Sequence, residues 1–281
     1  AQKNEETGLY NDQRIVSEIG NFGGKLIFGI WLSEDSHRMY NCWSDSDILN
    51  IPNAWERVIS MAERENSDQL WQQTRNHFEL QQDHTYLNYL SLTSDEWNIM
   101  WTARIQDEPD TVYTASRMST KDSFSNIKFM NELNQISARQ PYLSSDGLSV
   151  YFHVEVGNNE VEIWKGTRSS LDSTFGDFEP LSEVINRPGA KSMSPCITPD
   201  SKTLYFFRYD PALPEGNRGI YVSEWVETPV ECAIRNVREA IAEKEKAIEA
   251  VNAGIEKEVA ALTALFKTIK FEDFEGLNRP D

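Results

Sequence analysis

Few side chains in this sequence are spaced for chemistry, and each such group also has a plainer explanation. The histidines His37, His77, His84 and His153 are scattered, with no pair at helical i, i+4 spacing and no second ligand type beside any of them. A metal site needs several donors brought together, so these read as packed or solvated imidazoles. No CxxC or CxxCH pattern joins Cys42, Cys196 and Cys232, which disfavours a zinc ribbon and covalent haem attachment. A row of aspartates at Asp35, Asp95, Asp146 and Asp200 would form a carboxylate cluster if it converged. Asp also accepts backbone N–H bonds and tolerates turn geometry, so turn-making is the reading adopted for the row. Arg75, Arg117 and Arg168 close three similar strings, WQQTR, YTASR and WKGTR, and are expected to repeat one structural hydrogen bond or ion pair. The acidic loop Gln106–Asp110 offers oxygens to Ca²⁺, but its spacing is not that of an EF-hand, and a solvated turn is the better account. No GxSxG, P-loop, HExxH or dinucleotide fingerprint is present. No catalytic residue, metal or cofactor is expected.

The elements that would position these residues are more informative. From Arg139 to Arg168 the chain reads RQPYLSSDGLSVYFHVEVGNNEVEIWKGTR. Asp146-Gly147 between alternating apolar runs is a strong hairpin signal, and Gly157-Asn158-Asn159 marks a second turn. A slide of 51 residues lays Asp95 on Asp146, Tyr113 on Trp164, Arg117 on Arg168 and Phe124 on Phe175 without a gap. A slide of 165 residues lays Val16–Asn21 on Leu181–Asn186, Asp35 on Asp200 and Tyr40 on Tyr205. Four copies of the turn therefore precede the apolar pairs Met39-Tyr40, Ile99-Met100, Val150-Tyr151 and Leu204-Tyr205. Third strands are expected at Leu70-Trp71, Val112-Tyr113, Ile163-Trp164 and Ile220-Tyr221. A repeat of about 50 residues with four strands per copy is the sequence form of a propeller blade.

The strings PYLSSDGLSVYF and IWKGTR resemble the WD40-like PD40 repeat of TolB-type propellers. The fourth copy, PCITPDSKTLYF, fits well; the second is weaker, and the first, IWLSEDSHRMYN, has lost the proline and the glycine. The resemblance runs from about Ile15 to Val226 and implies a fold, not an activity, because propellers host many functions. It also implies an extracytoplasmic setting. The chain opens at AQKNEET without Met, as a mature form would after removal of a signal peptide; a chain boundary is the other reading. Arg14–Asn21 matches the outermost strand of a blade yet precedes the first one. The fold expected is thus an all-β propeller of four blades, closed by that N-terminal strand and followed by a coiled-coil-like α-helix. Cys42 and Cys196 fall on the first and last blades and read as two buried thiols, with a disulfide between them as the alternative.

Composition agrees with a sizeable core and narrows the partners. Of 281 residues, 11 % are aromatic, and the net charge is −18. Nucleic acids and anionic membrane surfaces need stripes of Lys and Arg, so neither is expected. No apolar run approaches the ~18 residues of a membrane span. Three regions are expected: a lead-in over 1–13, the propeller over 14–226, and a helix and tail over 227–281.

Two segments depart from the repeat. Asp35 to Trp71 is 36 residues against 18 from Asp95 to Tyr113. The surplus contains IPNAWERVISMAEREN, where Trp55, Val58, Ile59 and Ala62 at helical spacing predict a short amphipathic helix on the rim, a candidate interaction surface. After Trp225 the period becomes seven. Ile234, Ile241, Ile248, Ile255, Leu262 and Ile269 recur with Val237, Val251 and Leu265 three residues after alternate members, and Lys244 and Glu258 interrupt that second row. Ala233, Ala240, Ala247, Gly254 and Ala261 form a small-residue row beside them. This is a coiled-coil seam, expected to take a protein partner or a second copy.

Two function classes follow. One is a non-catalytic interaction module joined to other subunits through the heptad helix, favoured because an active site has no need of that helix. The other is a carbohydrate-binding or glycoside-hydrolase-like propeller with a site at the channel mouth. Glycosidase chemistry needs two carboxylates about 5–9.5 Å apart, and KLIFGIWL, YLNYLSL, QPYLS and SPCIT supply none.

Overall fold

A computed structural model describes residues 2–3, 10–11, 26–44, 57–81, 86–104, 109–157, 160–213, 218–225 and 229–268. The chain divides into two compact units, residues 1–225 and 226–281. The first opens with two short paired strands, β1 (Gln2–Lys3) and β2 (Tyr10–Asn11). Its body is a series of antiparallel meanders. Blade 1 contains β3 (Leu26–Leu32), β4 (Arg38–Ser44), β5 (Val58–Glu63) and β6 (Gln72–Asn76), paired in chain order. Blade 2 contains β7 (Tyr86–Leu92), β8 (Asn98–Arg104), β9 (Thr111–Ser116) and β10 (Ser125–Phe129), followed by the short helix α1 (Asn131–Gln135). Blade 3 contains β11 (Arg139–Leu143), β12 (Ser149–Gly157), β13 (Glu160–Thr167) and β14 (Gly176–Pro180). The fourth meander has three strands among the described residues, β15 (Lys191–Ile197), β16 (Thr203–Tyr209) and β17 (Arg218–Glu224). A parallel bridge, Val161 with Lys191, joins β13 to β15. The described residues of the second unit form one helix, α2 (Pro229–Thr268).

Each blade repeats the same local chemistry. The hydroxyls of Ser33, Thr93, Ser144 and Thr198 donate to Oδ1 of the turn aspartate two residues on, at 2.5–2.6 Å. The N–H two residues after each aspartate donates to the same oxygen at 2.9–3.1 Å. The residue between them, Ser36, Glu96, Gly147 or Ser201, has positive φ. The aspartate row is therefore a row of turns, as its chemistry suggests.

The inner strand of every blade also bulges, with positive φ at Gly29, Tyr89, Gln140 and Ser194, each six residues before its aspartate. A bulge bends the strand and lets neighbouring inner strands nestle. A Cβ on Gly29 would lie 3.1 Å from the backbone N of Tyr89, so β3 and β7 touch through their main chains. Ser91 accepts from the Leu143 N–H at 3.0 Å across β7 and β11, and Ser194 donates to Gln140 at 2.6 Å across β15 and β11.

The hydrophobic core lies between blade faces rather than inside one sheet. Trp31, Tyr40, Ile59 and Met61 pack on Leu87, Ile99 and Trp101 between blades 1 and 2. Met100, Val112 and Leu133 pack on Val150 and Phe152 between blades 2 and 3. Tyr151 and Ile163 meet Ile197, Leu204 and Phe206 beyond blade 3. A sheet apolar on both faces must be covered on both, and stacked meanders around inner strands do this for one another. The architecture is β-propeller-like.

Three expectations are corrected: the rim helix, the third strand at Leu70-Trp71 and Arg75 as the repeated arginine. The segment holding Val58 and Ile59 is strand β5 and not a rim helix, and both residues are buried. VISMAE is a short apolar run that periodicity cannot separate from a helix face; pairing with β4 and β6 decides it. Trp55 lies outside the described residues. Consequently WQQTR falls at the fourth strand of its blade, and the repeated arginine there is Arg64, not Arg75. Nε of Arg64, Arg117 and Arg168 donates to the carbonyl of Ser36, Glu96 and Gly147 at 2.8–2.9 Å. Each guanidinium lies 4.3–4.4 Å from the ring seven residues later, Trp71, Phe124 or Phe175. Arg75 instead reaches blade 2, donating to the Lys121 carbonyl and the Ser123 hydroxyl at 2.8 Å.

Candidate functional site

Two features among the described residues, one of several cavities and one exposed helix, are candidates for function. The first lies where the inner strands converge at the turn end. Trp31 and Leu32 of β3, Leu92 of β7, Tyr142 and Leu143 of β11, and Cys196 and Ile197 of β15 line one cavity of about 180 Å³. Its rim is polar, with Glu34, Ser94, Ser145 and Thr198 supplied by the four repeated turns. The Ser145 hydroxyl donates to Glu34 at 2.9 Å, and the Ser94 N–H to the Ser145 carbonyl at 2.9 Å. Burial pushes the Tyr142 phenol well above its usual pKa, and its hydroxyl is hydrogen-bonded to Cys196.

Drug-sized ligands occupy roughly 300–1,000 Å³, so this cavity suits a small group or a few waters. Among the described lining residues Glu34 is the one carboxylate. Both Cys42 and Cys196 are free thiols. Cys42 is buried as expected, whereas Cys196 is exposed on the wall of this cavity.

Beneath the rim, blades 1 and 2 share a buried charge cluster. Glu96 accepts from Arg38 Nε at 2.7 Å and from the Tyr40 hydroxyl at 2.7 Å, and Arg117 lies 3.6 Å from the same carboxylate. Arg117 also donates to the Tyr40 hydroxyl. The Tyr40 phenol is raised far above its usual range, chiefly by burial. The two arginines share the Glu96 carboxylate, and Arg38 also reaches the half-exposed Asp35 at 3.2 Å, so each charge has an opposite partner, which is the pattern of a structural junction.

The histidines are packed as the sequence suggested at two sites. His77 is fully buried, with Nδ1 2.9 Å from Glu79 and its ring stacked on Tyr40. His153 is buried on β12, and burial together with Arg139 lowers it to about 4. Among the described residues no three His, Cys, Asp or Glu side chains gather as a metal site would require.

The second place is the helix. α2 is continuous for 40 residues across Gly254, about 60 Å at 1.5 Å per residue. Val237, Ile241, Ile248, Val251, Ile255, Leu262 and Leu265 of the predicted seam are all exposed, at 50–61 %. Ile234 lies on the helix with its side chain outside the described set, and Ile269 lies beyond it. Val259 and Phe266 are also exposed and were missed; each follows a seam residue, Ile255 or Leu262, by four, one helical turn. No helix among the described residues is long and apolar enough to cross a membrane.

No family model and no curated protein sequence matches this chain. Solved structures do. TolB from Acinetobacter baumannii aligns over 72 % of this chain and 41 % of its own, at 12 % identity and a TM-score of 0.48. A TolB candidate from Agrobacterium tumefaciens aligns over 72 % of this chain and 78 % of its own, at 10 % identity and a TM-score of 0.42. A chain from a study of two prolyl endopeptidases aligns over 72 % and 29 %, at 15 % identity and a TM-score of 0.37. This chain thus spans under half the length of the Acinetobacter protein. The fold class rests on the sheets themselves.

Proposed function

We propose that the protein is a non-catalytic interaction scaffold, a propeller held to other subunits by its C-terminal helix. The observation that carries this is the exposed seam of α2. Leaving an apolar side chain in water forgoes roughly 1.5–3 kcal/mol, and seven such residues recur on one face. Contiguous apolar surface of that extent marks a protein-binding site.

The proposal includes a ring of four blades, with Arg14–Asn21 as the missing outer strand of the last. Two observations support closure: the described part of that meander has three strands, and Ile220 on its outer strand β17 is 81 % exposed. An extracytoplasmic location belongs to the same proposal and rests on the repeat resemblance alone.

Light scattering on the full chain tests the assembly claim. We expect a mass above 32.3 kDa that the double variant Ile248→Glu/Ile255→Glu returns to the monomer value without changing the melting of the blades. A monomeric full chain whose helix amides still exchange slowly would mean the seam is covered within the chain, and would overturn the reading.

A further inference from the structure

The charges that interrupt the seam carry information about its partner. Lys244 and Glu258 occupy the row of Val237, Val251 and Leu265, seven residues either side of Val251, and all lie on one continuous helix. In two parallel copies in register, Lys244 would face Lys244 and Glu258 would face Glu258, two like-charge layers inside an apolar seam. Reversing one copy about Val251 removes both. Lys244 then stands opposite Glu258 of the second copy, and Glu258 opposite its Lys244. Val237 faces Leu265 in the same row, and Val251 faces itself on the two-fold axis.

The flanking rows fit the same operation. In antiparallel helices each flank meets its own kind, so Ile248 lies beside Ile255 of the second copy and Ile241 beside Leu262. On the other flank Ala247 meets Gly254 and Ala240 meets Ala261, where the absence of bulk lets the backbones approach. A shift of either copy by one heptad would set Lys244 against Val251 or Leu265 and leave the charge unpaired, which makes the register specific.

We propose that α2 pairs with α2 of a second copy of this chain as an antiparallel two-fold dimer centred on Val251. This rests on the assembly reading above and adds orientation, register and stoichiometry to it.

The test uses charge reversal in the full chain. The wild type should scatter as twice 32.3 kDa. Lys244→Glu should raise the dissociation constant at least tenfold by setting Glu against Glu in two layers. The double variant Lys244→Glu/Glu258→Lys should restore it. Orientation is read by oxidation, in full chains in which Cys196→Ser and Cys232→Ser remove competing thiols. Val251→Cys should cross-link to itself, and Val237→Cys should not.

Cross-linking by both positions, or no rescue in the double variant, would make the pairing parallel and overturn the inference while the assembly reading stands. So would a trimeric or larger mass. A monomer at every concentration, unchanged by Ile248→Glu/Ile255→Glu, would overturn the inference and self-assembly together.

Discussion

The junction between blades 1 and 2 and the junction between blades 2 and 3 are built on the same turn and filled in opposite ways. At the first, the left-handed residue after the turn aspartate is Glu96, whose carboxylate is met by Arg38, Tyr40 and Arg117. At the second it is Gly147, and a Cβ there would come within 2.8 Å of Leu171 and Thr93. Where blade 1 presents Arg38 and Tyr40, the corresponding positions of blade 2 are Asn98 and Met100. The backbone hydrogen bond from the repeated arginine to the turn carbonyl is kept at both. The repeat therefore specifies the scaffold of a junction, and its filling is free to be ionic or apolar provided each is internally complete.

Glu96→Ala should be the most damaging change, because it strands Arg117 in a site with no solvent access. Loss of one partner of a buried ion pair costs about 3–5 kcal/mol, to be read by denaturant titration. A loss under about 1 kcal/mol would show that the arginines are not held by this carboxylate. The sharper experiment copies the second junction onto the first: Arg38→Asn, Tyr40→Met and Glu96→Gly together should recover much of that loss, since a complete apolar filling can replace an ionic one.

Acid should attack blade 3 through His153 at nearly the same scale. Its folded pKa is about 4 against an ordinary value near 6.5, so the unfolded chain takes up the proton first as pH falls. The contribution is intact above about pH 7 and is lost between about pH 6.5 and 4, at up to about 1.4 kcal/mol per pH unit and about 3 kcal/mol in all. His153→Phe should differ little from wild type at neutral pH, because Nδ1 has no partner among the described residues, and should be the more stable chain at pH 4.5. Equal pH profiles for the two chains would show that His153 is solvated.

Gly147→Ala probes the apolar junction. It introduces a Cβ into a left-handed position and against two methyl groups, and should cost about 1–3 kcal/mol in the same titration. A neutral result would mean that Leu171 and Thr93 move aside. The smallest effect belongs to Arg139→Gln, which removes the exposed pair with Glu155 at 2.7 Å and should cost under about 1 kcal/mol. The same change should raise the His153 pKa, followed by NMR titration, because it removes a neighbouring positive charge.

The sequence by itself determined the turns, the repeat length and the heptad helix, because these depend on near neighbours. A Ser or Thr two residues before an Asp, a Gly after it and an alternating run need no distant partner to be recognised, and seven-residue spacing is a property of one helix. Burial of Val150, Tyr151 and Ile163 was legible for the same reason, whereas Trp164, expected beside them in the core, is only partly buried. Strand β5 was not: VISMAE alternates poorly because it is buried along its length between β4 and β6, and only pairing distinguishes it from a helix. The bulges at Gly29, Tyr89, Gln140 and Ser194 were invisible because four unlike residues share one backbone shape, imposed by packing of the inner strands. Glu96, which nothing in the sequence singled out, is 1 % exposed. Its place was decided by Arg38 and Arg117, from 58 and 21 residues away, which converge on it only when blade 1 stacks on blade 2.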